Sequence, residues 1–159
     1  MQPPDASSVL IIGIGNPDCG DDAAGRAVAA RIQACGRKEF RVMESHGEAS
    51  ALLSLFAHSD HVILVDAAFS GAKPGTVAHF DVRATPLPTA RFGVSTHGFG
   101  LAEAVELGRA LNLLPRRCEV FAIEAESCET GRGLSPEVEG AVAEVAARIL
   151  ADLEATSDA

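Results

Sequence analysis

The sequence predicts a doubly wound α/β sandwich, in which a mostly parallel sheet carries helices on both faces. Short apolar runs at residues 9–12 and 62–65 are continuous rather than alternating, which is typical of strands covered on both sides. Between such runs, apolar residues recur at helical spacing. Strands that alternate with helices in one short chain favour parallel crossovers, and therefore a layered α/β architecture.

The predicted elements follow one another along the whole chain. Strands are predicted at residues 9–12, 40–43, 62–65, 76–82 and 118–123. The segment 76–82 alternates between apolar and polar residues, so we expect a half-exposed, antiparallel strand at an edge of the sheet. Helices are predicted from Ala24 to a stop at Gly36, over residues 47–56, over residues 101–111 and from Pro136 onwards.

The last helix has the clearest start. Ser135 suits the N-cap, Pro136 suits the first helical position, and the acidic Glu137 and Glu139 favour the positive end of the helix. We expect residues 155–159 to form a frayed tail.

Length, composition and charge exclude several classes of function. The 159 residues are enough for one domain, residues 1–159, that buries roughly 70% of the surface of its unfolded chain. No apolar stretch approaches the ~20 residues of a membrane span, and the N-terminus lacks a secretory signal, so we expect a cytoplasmic protein without membrane contact. The net charge of −9 makes nucleic-acid binding unfavourable.

The four cysteines form no CxxC pair. In a cytoplasmic chain, Cys19, Cys35, Cys118 and Cys128 are therefore interpreted as separate reduced thiols rather than a disulfide framework or a zinc knuckle. Cys19 lies beside two acidic residues and has the chemistry of a soft metal ligand, but we interpret it as a small buried thiol.

The chain is organised around a glycine-rich turn, residues 13–25, that follows the first strand and carries two adjacent acids, Asp21 and Asp22. Neighbouring carboxylates repel each other and are costly to desolvate, so this turn requires a cation. A dinucleotide-binding GxGxxG pattern fails here because Asp18 occupies its third glycine position. The acids would also repel a pyrophosphate at the helix start.

Two further polar residues are predicted at the same edge of the sheet. Asp66 ends the third strand, and His97 lies in the loop before the third helix. If the strand order begins 2-1-3, Asp22 and Asp66 face each other across the topological switch point, with His97 at the side. Two carboxylates and an imidazole suit a divalent transition metal. The same groups also suit metal-free acid–base catalysis, and this alternative remains open.

Some of these residues have structural interpretations as well. Asp21 is expected to support the turn or the helix start, and Asp66 has the chemistry to cap a turn. The remaining histidines, His46, His58, His61 and His79, are interpreted as ordinary surface or loop residues. Among them, His46 follows the second strand at the same edge as the acids.

The ordered set of motifs resembles the hydrogenase maturation endopeptidases, the proteases that process [NiFe]-hydrogenase large subunits. The matching pieces are Gly13-Ile14-Gly15-Asn16, Asp21-Asp22, Gly25, Val65-Asp66-Ala67, Ser95-Thr96-His97-Gly98-Phe99-Gly100-Leu101 and the segment 131–149. Two positions depart from the family pattern: Asp22 stands where some relatives have glutamate, and Ala23 replaces a glycine.

The resemblance implies a fold, a reaction and a site. It implies a five-stranded twisted sheet between helices and removal of a C-terminal extension from the nickel-loaded large-subunit precursor. It also implies that Asp22, Asp66 and His97 bind the nickel, which the substrate itself is expected to carry. Other divalent transition metals are expected to substitute.

Two rival functions are weighed against this interpretation. The run Gly-Ile-Gly-Asn-Pro also resembles the opening of bacterial peptidyl-tRNA hydrolases, but Asp21 and Asp22 stand where that family has a His-Asn pair. A non-catalytic, chaperone-like metal-binding module for a metalloenzyme precursor would use the same three ligands.

Overall fold

The computed structural model describes residues 9–88 and 100–157. The strands are β1 (Val9–Ile14), β2 (Phe40–Ser45), β3 (His61–Ala68), β4 (Val77–Asp81) and β5 (Arg117–Glu124). The helices are α1 (Ala24–Gln33), α2 (Ala49–Phe56), α3 (Leu101–Ala110) and α4 (Pro136–Ser157), with a short 3₁₀ helix at Gly20–Ala23. The predicted succession of elements is confirmed within these residues.

The sheet has the strand order β2-β1-β3-β5-β4. The first four of these strands are parallel, and β4 pairs with β5 in antiparallel orientation at the edge, as the alternation in residues 76–82 predicted. The chain leaves β1 toward β2 on one side and returns to β3 on the other. The topological switch point therefore lies between β1 and β3, and ligands of such sheets bind beyond the carboxyl ends of these strands.

Helices cover both faces of the sheet and complete the three-layer sandwich. One core lies beneath α1 and α4 and includes Ile11, Ile63 and Val145. The other lies beneath α2 and α3 and includes Leu64 and Val105. Because alternate strand residues point to opposite faces, the continuous apolar runs supply both cores at once.

Two element boundaries differ from the expectations. Asp66 lies inside β3 rather than at its end, because the pairing with β5 continues through Ala68 and Glu124. The expected tail is also wrong for residues 155–157, because α4 extends to Ser157. Among the described residues, no helix is long and apolar enough to cross a membrane.

Candidate functional site

The glycine-rich turn brings Asp22 back against the end of β1. Gly15 has a φ of +149°, and a Cβ there would overlap the carbonyl oxygen of Asp22, so only glycine allows this approach. The backbone N–H of Asn16 then donates to Asp22 Oδ2 at 3.0 Å. Arg26 Nε donates to the carbonyl oxygen of Gly15 at 2.6 Å and fixes the turn from the α1 side. These contacts hold the Asp22 carboxylate in one place.

Asp21 points the other way and is an internal anchor, with 1% of its surface exposed. Its carboxylate accepts hydrogen bonds from the N–H groups of Glu126, Ser127 and Ser135 and from the Ser135 hydroxyl. Burial raises the pKa of the Asp21 carboxyl, but these hydrogen bonds outweigh burial and leave the pKa below its ordinary value. The expectation that Asp21 supports the turn is confirmed, and Ser135 directs its hydroxyl to Asp21.

Asp66 lies close to Asp22 across the switch point. Gly13 of β1 is in register with Val65 of β3, so the ends of the two strands are adjacent, and the 3₁₀ helix that carries Asp22 contacts β3. Burial raises the pKa of the Asp66 carboxyl well above its ordinary value, and the negative charge of Asp22 raises it further. A hydrogen bond of 2.8 Å from the Ala67 N–H to Asp66 Oδ1 lowers the pKa of Asp66, but by less than burial and Asp22 raise it. The electrostatically costly pair is therefore Asp22 with Asp66, whereas the repulsion predicted from the sequence was between the adjacent Asp21 and Asp22.

His97, the third predicted site residue, lies outside the described residues. His97 comes three residues before Gly100 in the sequence, and Gly100 is the N-cap of α3. Among residues 9–88 and 100–157, no group of three or more His, Cys, Asp or Glu side chains is arranged to hold a metal ion. The described part of the site is therefore the carboxylate pair, which supplies two of the three predicted ligands.

The interpretation of Cys19 and Cys128 as separate reduced thiols is wrong. They form a disulfide across 109 residues of sequence, beside the acidic turn, whereas Cys35 and Cys118 are free. The pairing escaped the sequence analysis because neither cysteine belongs to a short-range pair, and only the packing of the β5–α4 loop onto the turn brings them together. Cys35 and Cys118 remain consistent with the interpretation as thiols.

Two of the histidines taken for ordinary surface or loop residues have a specific partner. His61 Nε2 and His79 Nε2 lie 2.6 and 2.9 Å from the two carboxylate oxygens of Glu119, which joins β3, β4 and β5. These contacts outweigh burial and lower the pKa of Glu119 to about 2. The cluster lies toward the amino ends of the parallel strands, away from Asp22 and Asp66.

A second buried carboxylate at the carboxyl edge also escaped the sequence analysis. Glu124, which is 4% exposed, accepts hydrogen bonds from the N–H groups of Ser70, Gly71 and Ala72 and from the Ser70 hydroxyl. It fixes the loop that follows β3. Phe69, which is 41% exposed, therefore projects from a well-anchored segment near Asp66.

The fold and the motifs have counterparts among known proteins. A family model described as hydrogenase maturation protease matches residues 27–152. The chain belongs to the hydrogenase maturation protease family. The match covers Asp66 and His97 and begins after Asp22.

Individual members of the family extend the similarity to most of the chain. The chain is 30% identical over 149 residues to the hydrogenase 2 maturation protease of Escherichia coli strain K12, covering 91% of this chain and 90% of that protein. The solved structure of the E. coli maturating endopeptidase HybD matches with a TM-score of 0.75 and 25% identity over 94% of this chain and 93% of that one. The [NiFe] hydrogenase maturation protease HybD from Thermococcus kodakarensis matches with a TM-score of 0.68 and 26% identity over 92% and 98%. This hydrogenase maturation protease is therefore an endopeptidase that acts in the processing of hydrogenase precursors.

Proposed function

We propose that this hydrogenase maturation protease removes the C-terminal extension of a nickel-loaded [NiFe]-hydrogenase large-subunit precursor. In this proposal the nickel arrives on the substrate and serves as the feature by which the enzyme recognises a loaded precursor. The observation that carries the proposal is the pair of Asp22 and Asp66, two carboxylates held together at the switch point of the sheet. A cytoplasmic location, shared with the precursor, is part of the same proposal.

The electrostatics of the pair support a cationic partner. Asp66 is partly buried next to Asp22, and its raised pKa reflects the cost of a second negative charge at this place. A divalent cation between the two carboxylates would remove that cost and favour the ionised form of both. Asp22 Oδ2 already accepts the Asn16 N–H, which orients the carboxylate before any ligand arrives.

We further propose that His97 supplies a nitrogen ligand from the segment before α3. Two oxygens and one nitrogen leave coordination positions open on a transition metal, so thiolates of the substrate can occupy them. Three ligands of this kind bind a free ion weakly, and a precursor that already holds the nickel supplies the missing ligands from its own thiolates. The enzyme would therefore select loaded precursor over unloaded precursor.

The acidic pair does not line either of two cavities on the described surface. Among the described residues, one cavity of about 470 Å³ lies beside β2 and another of about 230 Å³ lies beside Glu119, and neither is lined by Asp22 or Asp66. The acidic pair lies instead at the carboxyl edge of the sheet, with Asp66 among the last paired residues of β3 and Asp22 in the turn that follows β1. For cleavage, the substrate-borne nickel supplies Lewis acidity toward the peptide carbonyl, and the residues of this chain position it.

A precursor-cleavage assay tests the proposal. Purified enzyme is mixed with large-subunit precursor that has been loaded with nickel or left unloaded, and shortening of the precursor is followed by mass spectrometry. We expect cleavage of the loaded form only. His97→Ala, Asp22→Asn and Asp66→Asn should each slow cleavage by about 100-fold or more while leaving the unfolding transition of the enzyme in place.

Matched controls separate the site from its surroundings. Asp18→Asn removes an exposed carboxylate from the same turn, and His58→Ala removes an exposed imidazole at the end of α2, so both should cleave at the wild-type rate. Normal cleavage by His97→Ala would remove His97 from the proposed ligand set. A wild-type enzyme that binds loaded precursor and leaves its length unchanged would instead indicate a chaperone-like role.

A further inference from the structure

The disulfide between Cys19 and Cys128 joins the acidic turn to the loop between β5 and α4. Cys19 is the residue directly before the 3₁₀ helix that contains Asp21 and Asp22. Cys128 is exposed, and Cys19 is partly buried. The only covalent cross-link among the described residues therefore lies next to the proposed site, and one of its two residues is exposed to solvent.

Non-covalent contacts run parallel to this cross-link. The Asp21 N–H donates to the Ser127 carbonyl oxygen, and the Gly131 N–H donates to the Asp18 carbonyl oxygen, each at 3.1 Å. Cys19 also forms an isolated antiparallel bridge with Thr130. The turn and the loop are thus packed along their length, and on reduction the contacts of Asp18 and Cys19 would have to hold residues 16–20 without the covalent bond.

Cys19 is directly connected to Asp22. The Asp22 N–H donates to the Cys19 carbonyl oxygen at 3.0 Å, and the Asp22 carboxylate accepts the N–H of Asn16 at 3.0 Å. A change in the position of Cys19 therefore changes the backbone that aims Asp22. The Cys19 N–H donates to the Asn16 carbonyl oxygen at 3.3 Å, and the disulfide holds the side chain of the same residue.

We propose that Cys19 and Cys128 are a thiol–disulfide exchange site that controls the activity of the Asp22 turn. This inference rests on the proposed function, because it assigns a regulation to the same site. The disulfide-bonded form is the active one, since the cross-link restricts the turn to the arrangement that presents Asp22. Disulfides in the cytoplasm are typically transient and redox-sensing, which fits the proposed location.

The exchange partner is a protein or small molecule that carries a dithiol. One thiolate of the dithiol attacks Sγ of Cys128, the more exposed residue of the pair, forming a mixed disulfide, and Cys19 leaves as a thiolate that takes up a proton. The second thiolate of the partner then attacks its own sulfur in the mixed disulfide, and Cys128 leaves and is protonated. Two electrons and two protons pass to the enzyme, and the dithiol becomes a disulfide. The reverse exchange with a disulfide donor restores the active form.

The structure predicts that reduction acts locally. Asp21 keeps its hydrogen bonds to Glu126, Ser127 and Ser135 in either redox state, so the fold persists. Residues 16–20, which precede this anchor, gain freedom. We therefore expect slower cleavage, by about five-fold or more, because misplacement of a site group by a fraction of an ångström has effects of this size.

Cleavage rates of the two redox forms test this inference. The enzyme is reduced with dithiothreitol, which is removed under nitrogen before the nickel-loaded precursor is added, since a dithiol would also bind the nickel. Alkylation and mass spectrometry verify the state of each cysteine. We expect the reduced wild type to cleave about five-fold or more slowly, and the Cys19→Ser/Cys128→Ser enzyme to cleave at that lower rate whether or not it has been treated.

Cys35 provides the matched control, because it is an exposed thiol outside the disulfide. Cys35→Ser should retain the full redox response of the wild type. Cys118 does not interfere, since burial and the nearby charges of Glu119 and Asp81 raise the pKa of its thiol to about 12. Equal rates for verified oxidised and reduced wild type would overturn the inference, as would complete alkylation of Cys19 and Cys128 without prior reduction.

Amide hydrogen exchange provides a readout that does not depend on cleavage. Exchange in residues 16–22 should be faster in the reduced wild type and in the Cys19→Ser/Cys128→Ser variant, and unchanged in β3. If neither redox form cleaves the precursor, the proposed function fails. In that case, unchanged exchange at residues 16–22 would overturn the redox coupling, and faster exchange would support it.

Discussion

Adjacent carboxylates in this chain have opposite roles. Asp21 is buried and accepts four hydrogen bonds from the β5–α4 loop, whereas Asp22 is partly exposed and faces Asp66. The difference arises because successive residues of the 3₁₀ helix point in different directions, one into the protein and one toward the sheet edge. Two adjacent residues thus serve as a structural anchor, Asp21, and a proposed metal ligand, Asp22.

Asp21→Asn should destabilise the protein by about 2–4 kcal/mol at neutral pH, because an amide places N–H groups against the N–H donors that the carboxylate accepts. The folded-state pKa of Asp21 lies below its ordinary value of 3.8, so its contribution is fully present above that pH and is lost as the pH falls through the folded-state pKa. The stability gap between wild type and variant should therefore be constant above about pH 5 and narrow below 3.8.

Urea unfolding across this pH range measures the gap. Asp18→Asn is the control, since its side chain is exposed in the same turn and should change stability by less than about 0.5 kcal/mol. A variant at position 21 as stable as the wild type at pH 7 would show that the buried hydrogen bonds contribute nothing to stability.

At the scale of elements, the approach of α1 to the sheet determines the position of the acidic turn. Gly25, in the first turn of α1, lies against the carbonyl oxygens of Ile14 and Val65, and a Cβ there would overlap both atoms. This contact brings the start of α1 onto β1 and β3 at the switch point. The position of Asp22 therefore depends on a glycine three residues later in the chain.

Gly25→Ala should lower the free energy of unfolding by about 3 kcal/mol or more, because backbone atoms of two strands would have to move. Gly140→Ala in α4 is the matched helical control, since no atom lies within 4 Å of a Cβ at that position. It should stabilise the protein by about 0.5–1 kcal/mol through helix propensity alone. Chemical denaturation measures the free energy of unfolding of both variants. If Gly25→Ala changed it no more unfavourably than Gly140→Ala, α1 would have room to shift away from the strands at no cost.

For the whole molecule, the disulfide links the first loop of the chain to the last. It joins residues 109 apart in sequence, so in the unfolded state it closes most of the chain into a loop. Cross-links that close long loops reduce the entropy of the unfolded state the most. The same bond that restricts the acidic turn is therefore expected to contribute to global stability.

For a loop of this length, reduction should lower the free energy of unfolding by about 4–5 kcal/mol. At the lower end of the range of about 2–4 °C per kcal/mol for a chain of this size, the melting temperature should fall by about 10 °C. Differential scanning calorimetry with and without dithiothreitol measures the shift. The Cys19→Ser/Cys128→Ser variant should melt at the lower temperature in both conditions. A wild type that melts at one temperature regardless of reductant would show that the cross-link does not constrain the unfolded chain.

The layered α/β fold could be predicted from the sequence, because each strand and helix carries its own periodicity. Continuous apolar runs such as residues 62–65 mark buried parallel strands, and the alternation in residues 76–82 marks the antiparallel edge strand β4. The sequence also predicted that Asp22 and Asp66 meet, because the carboxyl ends of β1 and β3 share one edge in a 2-1-3 order. His97 remains a prediction from the motif.

Contacts between side chains that are far apart in the chain could not be predicted, because they depend on how the elements pack. The disulfide, the hydrogen bonds of Asp21 to Ser135 and the contacts of His61 and His79 with Glu119 all join segments that no local pattern relates. Periodicity reports which face a residue occupies, whereas these contacts depend on how the β5–α4 loop and neighbouring strands pack. The acidic turn was therefore recognisable in the sequence, but its covalent attachment to the β5–α4 loop was not.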